Sequence, residues 1–177
     1  MRHRTAIGVG ANLPSKAGSP EATVRAAVED LGAAGRVMAR SSLYRTEPVG
    51  LTAQPAFINA AAIVETSLDP EGLLEFLLAT ERSYGRDRER DVPKGPRALD
   101  LDVLLIDEEI IRTERLTVPH PALAERRFVL APLAEIAPRW QHPELGRTMA
   151  ELLAALPAEG ANGPEAVHKL QEGQPIL

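Results

Sequence analysis

Two helix starts punctuate this chain, Ser19-Pro20 and Asp69-Pro70, and strand-like apolar runs stand on either side of each. A small capping side chain followed by proline suits a helical first turn, because proline's fixed φ fits there and its missing N–H is not needed. After Ser19, Val24, Ala27, Val28 and Leu31 repeat at helical spacing, and Gly32 and Gly35 stop the run. After Asp69, Leu73, Leu74, Leu77 and Leu78 fall on one face, with Gly85 past the end. Residues 5–9 read as a strand leading into the turn-prone Gly10-Ala11-Asn12-Leu13-Pro14. Residues 36–44 read as a second strand, 57–66 as a third and 99–106 as a fourth, with Asp107-Glu108 turning the last onto a short partner at 109–111. The segment 45–55, with Pro48, Gly50 and Pro55, is a loop. The order strand, helix, strand, strand, helix, strand is the split arrangement of an α+β, ferredoxin-like βαββαβ core, a mainly antiparallel sheet with helices packed against it. Beyond it come a short helical stretch near 122–127 and a helix at 149–156, where Thr148 and Glu151 form a capping box and Pro157 ends the run. The expected organisation is one domain over 1–157. A loosely attached tail, 158–177, follows, with a further turn of helix around 165–170.

Composition narrows the class. At 177 residues the chain suits a single domain with a real core. The absence of cysteine excludes disulfides and thiolate metal sites, and no apolar run reaches the length of a membrane span. The basic N-terminus runs into Gly8, Gly10 and Asn12 instead of a signal-peptide core, so a cytoplasmic protein is expected. A net charge of −5 speaks against a general nucleic-acid coat.

Chemistry concentrates around Asp100-Leu101-Asp102, which follows Gly95-Pro96-Arg97 and opens the apolar run Val103-Leu104-Leu105-Ile106. Strand alternation sends both aspartates to one face, and two close carboxylates call for a cation between them. Oxygen-only ligands suit Mg²⁺, which takes one or two carboxylates and completes its shell with water and phosphate oxygens. The same spacing also fits a wet edge strand with Arg97 as surface counter-ion. Arg82, Arg86, Arg88, Arg90, Lys94 and Arg97 crowd the segment before the strand. That segment reads either as an arginine-bearing lid suited to phosphates or as a solvated charge run. Arg115, Thr117, His120 and Arg126 form a second polar group. There Pro119 and Pro121 stiffen the backbone around His120, either to place it on a phosphate or as a half-exposed structural turn. No Walker A loop, kinase glycine loop or His-Glu-x-x-His is present, and Gly8-Val9-Gly10 lacks the third glycine of a dinucleotide fingerprint.

Five stretches together resemble the 6-hydroxymethyl-7,8-dihydropterin pyrophosphokinase family of folate biosynthesis over about residues 5–140: residues 7–13, 41–50, 54–61, 95–102, and 116–121 with Arg126 and Phe128 behind them. The resemblance implies transfer of diphosphate from ATP to the pterin hydroxymethyl oxygen, release of AMP, and two Mg²⁺ ions. It implies that Asp100 and Asp102 ligate metal and that Arg86 and Arg97 neutralise the moving phosphoryl group. Arg115, His120 and Arg126 would hold phosphates, with Glu81 and Thr117 in the nucleotide pocket. Phe57 and Phe128 would sandwich the pterin, and Thr46, Asn59 and the backbone near Val49 would read its edges. Its partners would be these two small molecules, with no nucleic acid or membrane, acting on a monomer. The family's lid usually carries Arg-Trp directly before Gly-Pro-Arg, whereas Pro93 and Lys94 stand here and the loop is about one residue longer. A different Mg²⁺-dependent phosphoryl or nucleotidyl transferase, and a non-catalytic sensor on the same fold, remain alternatives. An RNA-binding sheet would need more strand aromatics than Phe57.

Overall fold

The computed structural model describes residues 1–48, 53–157 and 166–171. The sheet is antiparallel and ordered β5-β1-β4-β3-β8, with β2 also paired to β4. Its strands are β1 (His3–Ala11), β2 (Gly35–Arg40), β3 (Tyr44–Thr46), β4 (Phe57–Thr66), β5 (Asp100–Ile106) and β8 (Val167–Lys169), and β6 (Ile111–Arg112) with β7 (Thr117–Val118) form a separate ribbon. With β2 and β3 counted as one interrupted strand, the central order is that of the ferredoxin-like fold.

Helices α1 (Pro20–Asp30) and α2 (Pro70–Ser83) begin where the sequence places them. Ser19 Oγ accepts the Ala22 N–H and Asp69 Oδ1 accepts the Gly72 N–H. Val24, Ala27 and Leu31 on one side and Leu73 and Leu77 on the other pack onto Ile7, Val9, Ile58, Ala60, Val64, Leu101 and Val103. The opposite face of the sheet is covered by α3 (Arg127–Ile136) and α4 (Met149–Ala155). Here Leu130, Leu133, Met149 and Leu152 bury against Ala6, Ala61, Ile63, Leu104 and Leu105. Both faces of the sheet are therefore dry in the middle, which explains why β4 is apolar at nearly every position instead of alternating.

Four expectations change. The strand expected over 36–44 is two strands, because Ser41 interrupts the ladder: its Oγ accepts the Ala61 N–H while its own N–H donates to the Ala61 carbonyl. The partner expected for β5 at 109–111 pairs instead with β7, Ile111 facing Val118, across a turn in which Thr113 Oγ1 accepts the Leu116 N–H. The short helical stretch near 122–127 is a 3-10 turn at Leu123–Glu125, followed by the unforeseen α3, a helix that holds Pro132 in its interior. Proline at that position removes one intrahelical bond, to the Phe128 carbonyl. The turn of helix expected near 165–170 is strand β8, antiparallel to β3, with Leu170 N–H donating to the Leu43 carbonyl. Helix α4 keeps its capping box.

Candidate active site

The site grows from cross-strand register on the α3 face. In β5–β1–β4, Asp102 lies opposite Gly8 and Gly8 opposite Ala61; one pleat further, Asp100 lies opposite Gly10 and Gly10 opposite Asn59. Thr46 of β3 lies opposite Phe57. The two glycines leave a bare floor between an acidic row on β5 and an aromatic and amide row on β4 and β3. Neighbouring strands lie about 4.8 Å apart, so Asp100 and Asn59 stand about 10 Å from each other across that floor. The resulting cavity, about 200 Å³, is lined by Thr46, Phe57, Asn59, Asp100, Asp102, His120, Arg126 and Phe128 together with Gly8, Gly10, Glu47, Lys94, Arg97, Leu104 and Val129.

The bare floor at position 10 is required sterically. A Cβ on Gly10 would stand 2.8 Å from Asn59 Oδ1, while Asn59 Nδ2 is committed to Thr46 Oγ1 at 2.8 Å. Gly10→Ala therefore pushes the Asn59 carboxamide out of register. If the cavity takes the two substrates that the family resemblance implies, the expected result is a rise of about tenfold in the Michaelis constant for the pterin, the value of one hydrogen bond, with the constant for ATP unchanged. Steady-state kinetics with each substrate varied in turn checks it.

The electrostatics on β5 are divided. Asp100 is well compensated: Arg97 Nη1 lies 2.9 Å from its Oδ2, and Arg86 Nη1 and Arg88 Nη2 lie 3.3 and 3.7 Å from its Oδ1. Arg86 Nε is 2.9 Å from Asp91 Oδ2, yet its N–H is not aligned for a hydrogen bond. Among the described residues no ion pair reaches Asp102, and burial, followed by the charges of Asp100 and Glu81, pushes its pKa from 3.8 up to about 7. A half-buried carboxylate with too little compensation, beside a second carboxylate and a bare glycine floor, is the setting a hard divalent cation satisfies. Among the described residues no cluster of three His, Cys, Asp or Glu side chains is found, so a cation here would draw its other ligands from water and phosphate.

The raised value makes a stability prediction. The folded carboxyl holds its proton more tightly than the unfolded one, so ionisation costs stability fully above about pH 7, and the cost disappears as pH falls below about 4. Asp102→Asn in chelator-treated protein is therefore expected to melt higher than the wild type at about pH 8, with the gain shrinking toward about pH 4. Thermal melts across pH read the difference.

His120 is held by its backbone and ring: its N–H donates to the Leu104 carbonyl, and its Nδ1 accepts the Ala122 N–H at 3.2 Å. Burial, then Arg126, lowers its pKa, against an opposing pull from Asp100. The neutral ring therefore carries its proton on Nε2 and offers a donor to the cavity. The aromatic walls carry cations, with the Arg97 guanidinium 5.4 Å from the Phe57 ring centre and Arg126 5.7 Å from that of Phe128.

Other expected site residues lie elsewhere. Glu81 is buried on α2, where it takes two bonds from Arg88, at 2.7 and 2.8 Å, and accepts the Leu101 N–H at 2.8 Å. It anchors β5 and Arg88 without lining the cavity. Arg86 is also outside the lining but reaches Asp100. Arg115, at the tip of the β6–β7 ribbon, pairs with Glu71 at 3.0 Å and with Glu75, and Thr117 is exposed on β7; neither lines the cavity. Val49 falls outside the described residues. Sequence reading missed Gly8 and Gly10 as a cavity floor, and Glu47 and Lys94 as lining. The spacing of the two glycines matches that of the two aspartates, which is the signal that pairs them.

Comparison with known proteins shows the family and the fold. The profile of the 7,8-dihydro-6-hydroxymethylpterin-pyrophosphokinase (HPPK) family matches residues 6–138. A 2-amino-4-hydroxy-6-hydroxymethyldihydropteridine pyrophosphokinase from Methylorubrum extorquens is 46% identical over 162 residues, covering 89% of this chain and 96% of that protein. The protein of the same name from Bacillus subtilis is 46% identical over 153 residues, covering 85% of this chain and 86% of its own. In fold, the chain is similar to wild-type Plasmodium falciparum HPPK-DHPS solved with pteroate, with a TM-score of 0.68 at 14% identity over 87% of this chain. It spans 44% of that longer chain. By profile and by these relatives, the chain belongs to the 7,8-dihydro-6-hydroxymethylpterin-pyrophosphokinase family.

Proposed function

We propose that the cavity is a two-substrate site in which diphosphate passes from ATP to 6-hydroxymethyl-7,8-dihydropterin, as befits a pyrophosphokinase of folate biosynthesis. The observation that carries the reading is the shared face: Asp100 and Asp102 look onto the same glycine floor as Phe57, Asn59 and Phe128. A flat bicyclic ring between Phe57 and Phe128 would bury both faces, and Asn59 with Thr46 would meet its donors and acceptors. The backbone near Val49 completes that set by family resemblance.

On the acidic side, Asp100 and Asp102 would hold two Mg²⁺ ions. Held there, the ions would supply charge neutralisation to a bound triphosphate. Arg86 and Arg97, already beside Asp100, neutralise charge on the β-phosphoryl group as it moves. His120 donates from Nε2 and Arg126 from its guanidinium to phosphate oxygens. The nucleotide would extend toward the β6–β7 ribbon, where Thr117 lies and where Arg115 can trade Glu71 and Glu75 for phosphate. Glu81 serves the pocket indirectly, by fixing Arg88 and the start of β5.

In the reaction, the pterin hydroxymethyl oxygen attacks the β-phosphorus and the bond from that phosphorus to the α,β-bridging oxygen breaks. AMP leaves with the bridging oxygen, and the hydroxyl proton is released to solvent. One aspartate of the pair orients that hydroxyl. By family resemblance the loop 85–97 and the loop 45–54, of which 49–52 lie outside the described residues, would close and keep out water, which would otherwise accept the phosphoryl group. The family's lid tryptophan is replaced by Lys94, which lines the cavity from a strained positive-φ backbone. The reading places a monomeric chain in the cytoplasm acting on two small molecules, with neither nucleic acid nor membrane as partner. No helix among the described residues is long and apolar enough to cross a membrane.

Product analysis tests the proposal. With ATP, Mg²⁺ and the reduced pterin alcohol, AMP and the pterin diphosphate should form in equal amounts. ADP would identify an ordinary kinase and pyrophosphate a nucleotidyltransferase. Binding with no turnover would leave a sensor.

A further inference from the structure

Asn12 follows the last residue of β1, is buried to 1% exposure and does not line the cavity. Its carboxamide is nevertheless tied to both halves of the site. Nδ2 donates to Gln54 Oε1 and to the Pro55 carbonyl, each at 3.0 Å, and Oδ1 accepts the Arg97 N–H at 2.8 Å. The backbone repeats the tie: the N–H groups of Asn12 and Leu13 both donate to the Arg97 carbonyl, at 3.1 and 3.2 Å. Gln54 Nε2 continues the chain of bonds to the Lys94 carbonyl at 2.9 Å.

What these bonds join is informative. Pro55 stands two residues before Phe57, the aromatic wall, and Arg97 reaches Asp100 at 2.9 Å while its guanidinium lies over the Phe57 ring. Segment 94–97 cannot shift relative to segment 54–57 without breaking bonds to one buried side chain. The geometry also specifies the residue. Aspartate would set an oxygen against Gln54 Oε1 and the Pro55 carbonyl, and alanine would strip the Arg97 N–H and the Pro55 carbonyl of their partner.

We propose that Asn12 is a positioning residue that couples the aromatic segment 54–57 to the arginine segment 94–97, so that filling either half of the cavity favours filling the other. The inference rests on the two-substrate reading above. Coupling between two ligands is a free energy shared by both sites and must be the same whichever ligand binds first. A residue that only supports the fold would weaken both ligands alike.

Calorimetric titration of the full chain separates these cases. The reduced pterin alcohol is titrated with and without saturating Mg²⁺ and α,β-methylene-ATP, whose bridge cannot be cleaved, and the order is then reversed. In the wild type the nucleotide analogue should tighten pterin binding, by the same factor in both orders. Asn12→Ala should lower that factor about tenfold while the affinity for each ligand alone changes less than about threefold. Asn12→Asp, which keeps the acceptor for the Arg97 N–H and reverses only the contacts to Gln54 and Pro55, should lose the coupling as well; it also serves if the alanine variant folds poorly. The inference is overturned by a wild-type factor of one, by variants that keep the wild-type factor, or by binary affinities that fall together with the melting temperature. A wild-type chain that binds neither ligand overturns the two-substrate reading, and the coupling with it.

Discussion

Replacing Asp102 with alanine is expected to lower turnover on the order of a thousandfold, about 4 kcal/mol of barrier, without lowering the melting temperature of the metal-free protein. The two halves of this expectation share one cause. Asp102 is held half-buried opposite Gly8, and burial together with Asp100 and Glu81 makes its charge unwelcome without a cation beside it. Removing the side chain thus relieves the apo protein and deprives the loaded one of a metal ligand. A core residue behaves in the opposite way: truncating a large buried aliphatic costs about 2–5 kcal/mol of stability. Kinetics and thermal melts on the same preparation read both halves. Near-normal turnover, or a melting temperature that drops as a core truncation would make it drop, would refute the metal assignment.

Arg97→Ala should be the next most damaging change, with a loss of kcat of about a hundredfold or more and a smaller effect on the Michaelis constants. Arg97 meets the acidic row at Asp100 Oδ2 and the aromatic row at Phe57, and its backbone is fixed by Asn12, so its guanidinium is placed before substrate arrives. Its charge matters most when the phosphoryl group is between donor and acceptor, which is why the effect belongs in kcat. Lysine at this position should recover little, because a point charge on a flexible stem lacks the planar fork. If the alanine variant instead raised only the Michaelis constant for the pterin, Arg97 would be a lid over Phe57 with no part in the transfer.

Much of this was readable from residue order, and the failures have physical reasons. Ser19-Pro20, Asp69-Pro70 and the Thr148–Glu151 box are local codes, and each capped its helix as written. The Asp100–Asp102 alternation placed two carboxylates on one face because a strand's period leaves no other arrangement. What escaped depends on partners distant in sequence. Ser41 breaks a strand only because Ala61 lies beside it, Pro132 is tolerated because α3 is fixed by burial on the sheet, and Val167–Lys169 becomes strand only because β3 offers an edge. Glu81 sits on the buried stripe of α2, four residues after Leu77, where a charge on an apolar face signals a buried partner, here Arg88 and the Leu101 N–H. Residue order grouped Arg115 and Thr117 with His120 and Arg126, and the family resemblance gave them phosphate and nucleotide roles, but the fold keeps both on the outer ribbon, away from the cavity lining.

The central claim is that the paired carboxylates of β5 hold divalent cations against a triphosphate beside the aromatic slot. Counting bound Mn²⁺, as a paramagnetic stand-in for Mg²⁺, in the presence of α,β-methylene-ATP tests it directly. The account predicts two ions per wild-type chain and the loss of bound metal in the Asp100→Ala, Asp102→Ala double variant, with the fold retained. An unchanged ion count in that double variant would contradict it.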